Sequence, residues 1–420
     1  MIVFPTDDKL LNDGYLHDFG LNHWHLGNIC VYQPAVYQDA FCDWAFLLST
    51  LLSLFILSTK FWANSYFADV QSVVARFDIS KYILEYMLGY LLFAGSLHTE
   101  WKDIKNHLKP IAIFAILGVI LSTLIIGGLF YGLANLFNLQ IDFIYCLLFG
   151  ALISPTDPIA VLGILAKADV PKKIESTIVG ESLFNDGIGV AIFIALLQVI
   201  KSGKTQLEFS SFGVLLVQES FGGIAFGLLA GFLLHKILST IDHYETETLL
   251  TIAFVMTGYS LCLELHISGA LAMAVMGLFV GNYQQDKAMS NITIDYVDKF
   301  WELLDVILNA ILFVIISFVI VVIDFKASYV LLGICSIAVV LLSRTIVTFL
   351  LKLTIPTIID FTLKEIKLII WSGLRGGLSL ALVLSLPEGE TKNLLLIATY
   401  ICVVFSILVQ GLTIEKLARR

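Results

Sequence analysis

The chain has 420 residues, of which 58% are apolar and 14% charged, with a mean hydropathy of +0.90 and a formal net charge of −9. That balance exceeds what a soluble globular chain carries and points to an all-α polytopic membrane protein. It also speaks against a nucleic-acid role, because the acidic residues are spread over loops and helices and no basic patch appears.

In chain order, the first 43 residues are polar, carrying Asp7, Asp8, Lys9, Asp13 and Asp18. They lack a charged-then-apolar start and a cleavage-site pattern, so they do not read as a signal peptide. His17, His23 and His25 near Cys30 read as part of a loosely attached polar tail rather than a metal site. From residue 44 onward the chain reads as a membrane domain. A hydrocarbon core needs roughly 20 apolar residues per helix. Twelve segments qualify, near 45–60, 80–98, 108–134, 141–165, 174–200, 212–239, 246–266, 268–283, 300–323, 328–353, 365–386 and 391–414. Cys30, Cys42, Cys146, Cys262, Cys335 and Cys402 lie far apart without CxxC spacing and read as packing residues.

Orientation follows from the lysines and arginines of alternate loops. One side holds fifteen: Lys102, Lys105, Lys109, Lys167, Lys172, Lys173, Lys236, Lys287, Lys299, Lys352, Lys364, Lys367, Lys416, Arg419 and Arg420. The other holds Lys201, Lys204, Lys326 and Lys392, and rises to seven with Lys60, Arg76 and Lys81 from the poorly defined 60–81 stretch. The C-terminus is therefore expected in the cytoplasm, the chain crossing a bacterial inner or plasma membrane many times.

Two of the twelve segments are interrupted. In 141–165 the run Ser154-Pro155-Thr156-Asp157-Pro158 places two prolines three apart, removing backbone donors where the helix should continue. In 365–386 the run Ser372-Gly373-Leu374-Arg375-Gly376-Gly377 weakens the helix with three glycines around an intramembrane arginine. The breaks fall in the fourth and eleventh helices, an odd offset, so the broken helices run in opposite directions, as two inverted repeats would generate. Paired interrupted helices are the best sequence pointer to a transporter's midplane site.

Between the breaks lies an acidic helix, Glu181-Ser182-Leu183-Phe184-Asn185-Asp186. Ser182 and Asp186, four apart, share a face; Glu181 and Asn185 form the neighbouring pair. Asp186, the Ser182 hydroxyl, the Asp157 carboxylate and the Thr156 carbonyl would supply hard oxygen ligands to a small alkali cation. A lone buried carboxylate would be neutralised by a proton instead, which makes Asp186 a carrier of either cargo but never both. Arg344, in mid-helix, is expected to balance half-helix dipoles or to pair with an acid not identifiable from sequence.

These residues resemble the signature of the monovalent cation:proton antiporters of the NhaP and NHE type, from Gly150 through Val161 and from Gly180 through Gly187. His266-Ile-Ser268-Gly269-Ala-Leu271-Ala272, Phe300-Trp301-Glu302 with Leu308-Asn309-Ala310, and Gly373 through Gly377 match further motifs in order. The resemblance covers about residues 69–415. It implies some 12–13 transmembrane helices with crossed broken helices, a core bundle of about 108–200 and 328–415, and a scaffold that also joins a homodimer. Asp186 would be the ion and proton carrier, with Asp157 and Thr156 as cation ligands, Ser182 beside them, and Asn185, Pro155 and Pro158 supporting the site. Asn185 stands where electrogenic relatives carry a second Asp, which implies electroneutral exchange of one Na+ or Li+ for one proton, serving pH and sodium homeostasis. Glu181 would pair with Arg375.

Two departures from the family pattern stand out. Leu91-Leu92-Phe93 is followed by Ala94 where many relatives carry an acid, and the polar opening replaces a first apolar helix. K+/H+ exchange, or an inactive or regulatory homologue, are the alternatives within the family; a channel or an Asp157–Asp186 acid-dyad enzyme are the rivals outside it. No nucleotide-binding motif appears, so no cofactor is expected and ion gradients would drive transport. Two further polar faces, Thr257/Ser260/Glu264 and Glu302/Asp305/Asn309, suit either a wet funnel or a subunit contact.

Overall fold

The computed structural model describes residues 48–60, 63–76, 79–157, 170–201, 209–283 and 291–418. Both Pro158 and the polar stretch 1–43 lie outside these residues, as do Cys30 and Cys42. The four described cysteines are free.

Each predicted apolar segment has a helical counterpart. In chain order the helices are α1 (Leu48–Thr59), α2 (Asn64–Arg76), α3 (Tyr82–Leu97), the short α4 (Trp101–Asn106), α5 (Leu108–Leu136), α6 (Phe143–Ile153), α7 (Lys172–Lys201), α8 (Phe209–Leu238), α9 (Tyr244–Glu264), α10 (Gly269–Tyr283), α11 (Asn291–Val322), α12 (Ala327–Thr354), α13 (Leu363–Trp371), α14 (Gly377–Leu384) and α15 (Glu390–Ala418). Among them α5, α7, α9, α11, α12 and α15, together with Gly213–Leu238 of α8, are long and apolar enough to cross a bilayer. The sequence left 60–81 undefined, yet α2 forms there and its Phe67 packs with Ile56 of α1 and Val321 of α11. Helix α11 begins nine residues before the predicted apolar segment, because its first turns are polar and do not register as membrane span.

Local chemistry sets several boundaries. Pro110 sits in the first turn of α5, where a missing N–H costs no intrahelical bond. Thr362 and Glu365 form a reciprocal capping box that starts α13: the Glu365 N–H donates to Thr362 Oγ1 at 3.3 Å and the Thr362 N–H to Glu365 Oε2 at 2.6 Å. Helix α6 stops at Ile153, immediately before Ser154-Pro155, because the proline ring restricts the residue ahead of it and supplies no donor.

The most enclosed helix is α10, whose residues 269–278 are all buried. Its small residues allow close packing in the absence of a solvent-facing side. A Cβ on Gly277 would meet the Phe93 carbonyl oxygen at 2.5 Å, so α3 and α10 touch backbone to backbone. On the opposite flank Gly223 of α8 packs on Ser268 and Gly227 on Ala272. A second apolar cluster joins Phe114 of α5, Ile174 and Ile178 of α7, Val347 and Leu351 of α12, Ile366 and Ile369 of α13 and Ile414 of α15. Helix α7 is thus packed between this cluster and the α8–α10 pair.

Candidate functional site

The second interruption is present, and the first is described as far as Asp157. After α6, residues 154–157 are not helical, and between α13 and α14 residues 373–376 are extended or irregular. The two breaks touch: the Asp157 N–H donates to the Leu374 carbonyl at 2.9 Å. Gly376 lies so close to Asp157 that a Cβ there would collide with the carboxylate, meeting its Cγ at 3.0 Å. This is a crossing that only glycine permits.

An interrupted helix at membrane depth leaves carbonyls and N–H groups that must find partners inside the protein. Arg375, only 3% exposed, donates through Nη1 to the Ser154 carbonyl and to the Pro155 carbonyl at 2.8 Å. Its guanidinium therefore sits at the negative end of the α6 half-helix, where a cation is favoured. Ser379 Oγ donates to the Leu152 carbonyl at 2.7 Å. On the second break, the Arg375 N–H donates to Ser406 Oγ at 2.8 Å, Ser406 donates to Gln410 Oε1 at 2.9 Å, and Gln410 Nε2 donates to the Trp371 carbonyl at 3.2 Å. Ser406 and Gln410 belong to a wide π-type turn in α15, which swings both side chains toward the break. Sequence reading passed over this pair; the signal available was two buried polar residues four apart in an otherwise apolar helix.

Helix α7 brings the acidic motif to the crossing. Asn185, fully buried, clamps Thr156 from both ends: its Oδ1 accepts from the Thr156 N–H at 3.3 Å and its Nδ2 donates to Thr156 Oγ1 at 2.8 Å. Thr156 Oγ1 also hydrogen-bonds Ser182 Oγ at 2.9 Å. Thr156, Ser182 and Asn185 thus form one polar knot beside Asp157. Asp186 lies one turn beyond Ser182, half-buried, with no hydrogen bond or ion pair to another described residue. Pro155 is buried within the break and packs against Gly189 of α7, while Pro158 falls outside the described residues.

The expected Glu181–Arg375 pair is not formed, and the roles of the two arginines are largely exchanged. Glu181 binds Arg344 of α12 in a two-pronged pair, Nη1 to Oε1 and Nη2 to Oε2 at 2.8 Å, with side chains 2% and 6% exposed. Arg344 also reaches the Ile369 carbonyl at the end of α13, at 3.4 Å. The reason is geometric: Arg375 is occupied by the carbonyls of the break that its own segment crosses, whereas α12 passes Glu181 with its side chain free to fork onto the carboxylate. Both Nε atoms lack a hydrogen-bond partner among the described residues.

The two outlying polar faces separate. Thr257, Ser260 and Glu264 are exposed on the outer surface of α9, and the two hydroxyls bond back to Ala253 and Met256 of their own helix. On α11, Asn309 is buried and donates to Asp305 Oδ1 at 3.0 Å. Leu312, two turns from Asp305 on the same face, packs on Gly377. That face of α11 therefore looks toward the crossing.

Two interrupted helices crossing at membrane depth, their ends neutralised by buried arginine and with a carboxylate-bearing helix against the junction, define the architecture of a secondary transporter. The chain belongs to the sodium/hydrogen exchanger family, whose transmembrane model matches residues 45–420. It is 44% identical over 356 residues to the Na(+)/H(+) antiporter NhaP of Pseudomonas aeruginosa, covering 84% of each chain. It is 33% identical over 344 residues to the Na(+)/H(+) antiporter NhaH of Halobacillus dabanensis, covering 80% of this chain and 82% of that one. Its fold is similar to that of the sodium proton antiporter MjNhaP1 from Methanocaldococcus jannaschii, solved at pH 8, with a TM-score of 0.67 over 91% of this chain and 98% of the other at 19% identity.

Proposed function

We propose that the protein is a secondary active antiporter that exchanges Na+ or Li+ for H+ at Asp186. The observation that carries this reading is the half-buried Asp186 carboxylate, without a hydrogen bond or ion pair to another described residue, one turn from Ser182 and beside the Thr156–Asn185 knot at the crossing. A carboxylate already bonded into a network would resist giving up one cargo for another; one held open at membrane depth must recruit a cation or a proton. Asp157, Thr156 and Ser182 complete an oxygen-rich ligand set around the cation, with Asn185 and Pro155 holding the break in shape. One carboxylate alternating between two singly charged cargoes gives electroneutral exchange, with a role in pH and sodium homeostasis. The names of the relatives from Pseudomonas aeruginosa and Halobacillus dabanensis support Na+ as the cation.

In this reading the crossing, α7 and the helices of the second apolar cluster move as a core against a scaffold built on α3 and α8 to α11. The lysine and arginine distribution supports a cytoplasmic C-terminus in a bacterial plasma membrane, and the scaffold would form the contact of a homodimer. The test is dissipation of an imposed pH gradient in proteoliposomes by Na+, Li+ and K+, with the intact chain and Asp186→Asn. Na+- or Li+-driven activity that disappears in the variant supports the reading. Activity that survives in the variant moves the carrier elsewhere, and activity with K+ alone makes the chain a K+/H+ antiporter.

A further inference from the structure

Helix α8 carries a carboxylate that the exchange scheme does not use. Glu219 is 5% exposed, and its Oε2 has no hydrogen-bond partner among the described residues. The other buried glutamate with an unmet oxygen, Glu247, is at least anchored by the His243 N–H at 3.1 Å. Burying a carboxylate inside a membrane helix without a partner is costly, and such groups belong to ion or proton paths.

Its position relates it to Asp186. The Glu219 carbonyl accepts from the Ser268 N–H at 3.1 Å, and Ser268 Oγ caps the start of α10 by accepting from the Leu271 N–H at 3.3 Å. Gly187, the residue after Asp186, packs on the same turn so closely that a Cβ would meet the Leu271 nitrogen at 3.1 Å. The first turn of α10 therefore touches both the Glu219 segment and the Asp186 segment. Asp186 lies fifteen residues before the end of α7 at Lys201, and Glu219 ten residues after the start of α8 at Phe209. At 1.5 Å per residue, Glu219 is about 7 Å of helix nearer the ends where the chain passes from α7 to α8.

We propose that Glu219 is a second proton-binding residue, relaying protons between Asp186 and the membrane face at which α7 ends and α8 begins. This rests on Asp186 as the carrier. In each cycle one proton leaves the Asp186 carboxyl group through intervening water, binds the Glu219 carboxylate and departs to the aqueous phase, or follows the reverse route; both groups return to their starting state and the stoichiometry is unchanged. A proton is the cargo that fits. The Ser268 hydroxyl is committed to the α10 cap and Ile267 and Leu271 are apolar, so a hard alkali cation would lack the several oxygen ligands it needs. The titratable groups of the packed elements nearest these contacts along the chain are Glu181 and Asp186 on α7, Tyr259, Cys262 and Glu264 on α9, and His266 ahead of α10.

The experiment compares the intact chain with Glu219→Gln, Glu219→Asp and Asp186→Asn in proteoliposomes, imposing the pH gradient from each face in turn and recording turnover, the Na+ concentration dependence and the pH profile. Expected for E219Q is a loss of turnover on the order of tenfold with the gradient imposed from either face, because each exchanged proton passes Glu219 in one direction or the other, with KM for Na+ unchanged, and restored turnover with a shifted pH profile in E219D. An E219Q protein with wild-type turnover and pH profile overturns the relay while D186N still reports on the carrier. So does an E219Q protein that merely melts earlier and is restored by E219D without any movement of the pH profile. Transport surviving in D186N overturns the carrier and the relay together.

Discussion

The exchange of partners between the two buried arginines makes a quantitative prediction. Glu181 and Arg344 form a two-pronged pair with 2% and 6% of their side chains exposed, so deleting one partner strands the other's charge inside the protein. Such a deletion costs about 3–5 kcal/mol, whereas replacing both by apolar groups of similar volume is close to neutral. Glu181→Leu and Arg344→Met should therefore each destabilise strongly, the double variant should recover most of the loss, and the coupling energy should reach about 3 kcal/mol or more. A parallel cycle of Glu181→Leu with Arg375→Met should show much weaker coupling, because Arg375 is held by the Ser154 and Pro155 carbonyls rather than by a carboxylate. Equilibrium unfolding of the purified protein in mixed micelles, titrated with SDS, reads all five variants on one scale. Larger coupling for Arg375 than for Arg344 would refute the assignment and restore the pairing expected from sequence.

Three other outcomes follow from close contacts in the structure. Gly376→Ala should push the Asp157 carboxylate aside and raise KM for Na+ on the order of tenfold, about 1.4 kcal/mol, with the fold retained, as read by Na+ titration of antiport. Asn185→Ala strands the Thr156 N–H and leaves its hydroxyl with Ser182 alone, which should lower stability by about 1–3 kcal/mol and slow turnover; SDS unfolding beside transport assays checks both. Gly277→Val should drive a side chain into the Phe93 backbone and cost about 1–3 kcal/mol or more, seen as a lower melting temperature without a selective change in KM.

The helices were legible because apolar runs of membrane length have few other uses, and the breaks were legible because proline and glycine act locally. The same locality explains what was missed. Helix α2 has an amphipathic pattern that seats Phe67 on α1 and α11, a signal too polar for a membrane-span criterion. Sequence offered one intramembrane glutamate in the acidic motif and two arginines, Arg344 and Arg375; choosing between them needs the path of α12 past Glu181, which no residue spacing encodes. Ser406 and Gln410 were invisible as site residues for a related reason, since their role depends on a π-type turn that re-aims them. Thr156, Asp157, Ser182, Asn185 and Asp186 were legible as a group because all five sit within two short polar motifs in otherwise apolar segments.

The hydrogen bonds also indicate where the proposed movement is accommodated. The α6 end and the α13–α14 break are joined by the Asp157 N–H, by the Arg375 guanidinium and by Ser379, so sliding one past the other would strand several polar groups away from water. The crossing must therefore travel as a unit, and Asn185 ties α7 to it through Thr156. Against α10 the same helix presents Gly187 to Leu271, an apolar contact with no polar group to strand when it shifts. In the proposed movement, displacement between core and scaffold accordingly belongs at the Gly187–Leu271 contact, and it would carry Asp186 past the first turn of α10 while leaving the Thr156–Ser182 hydrogen bond intact.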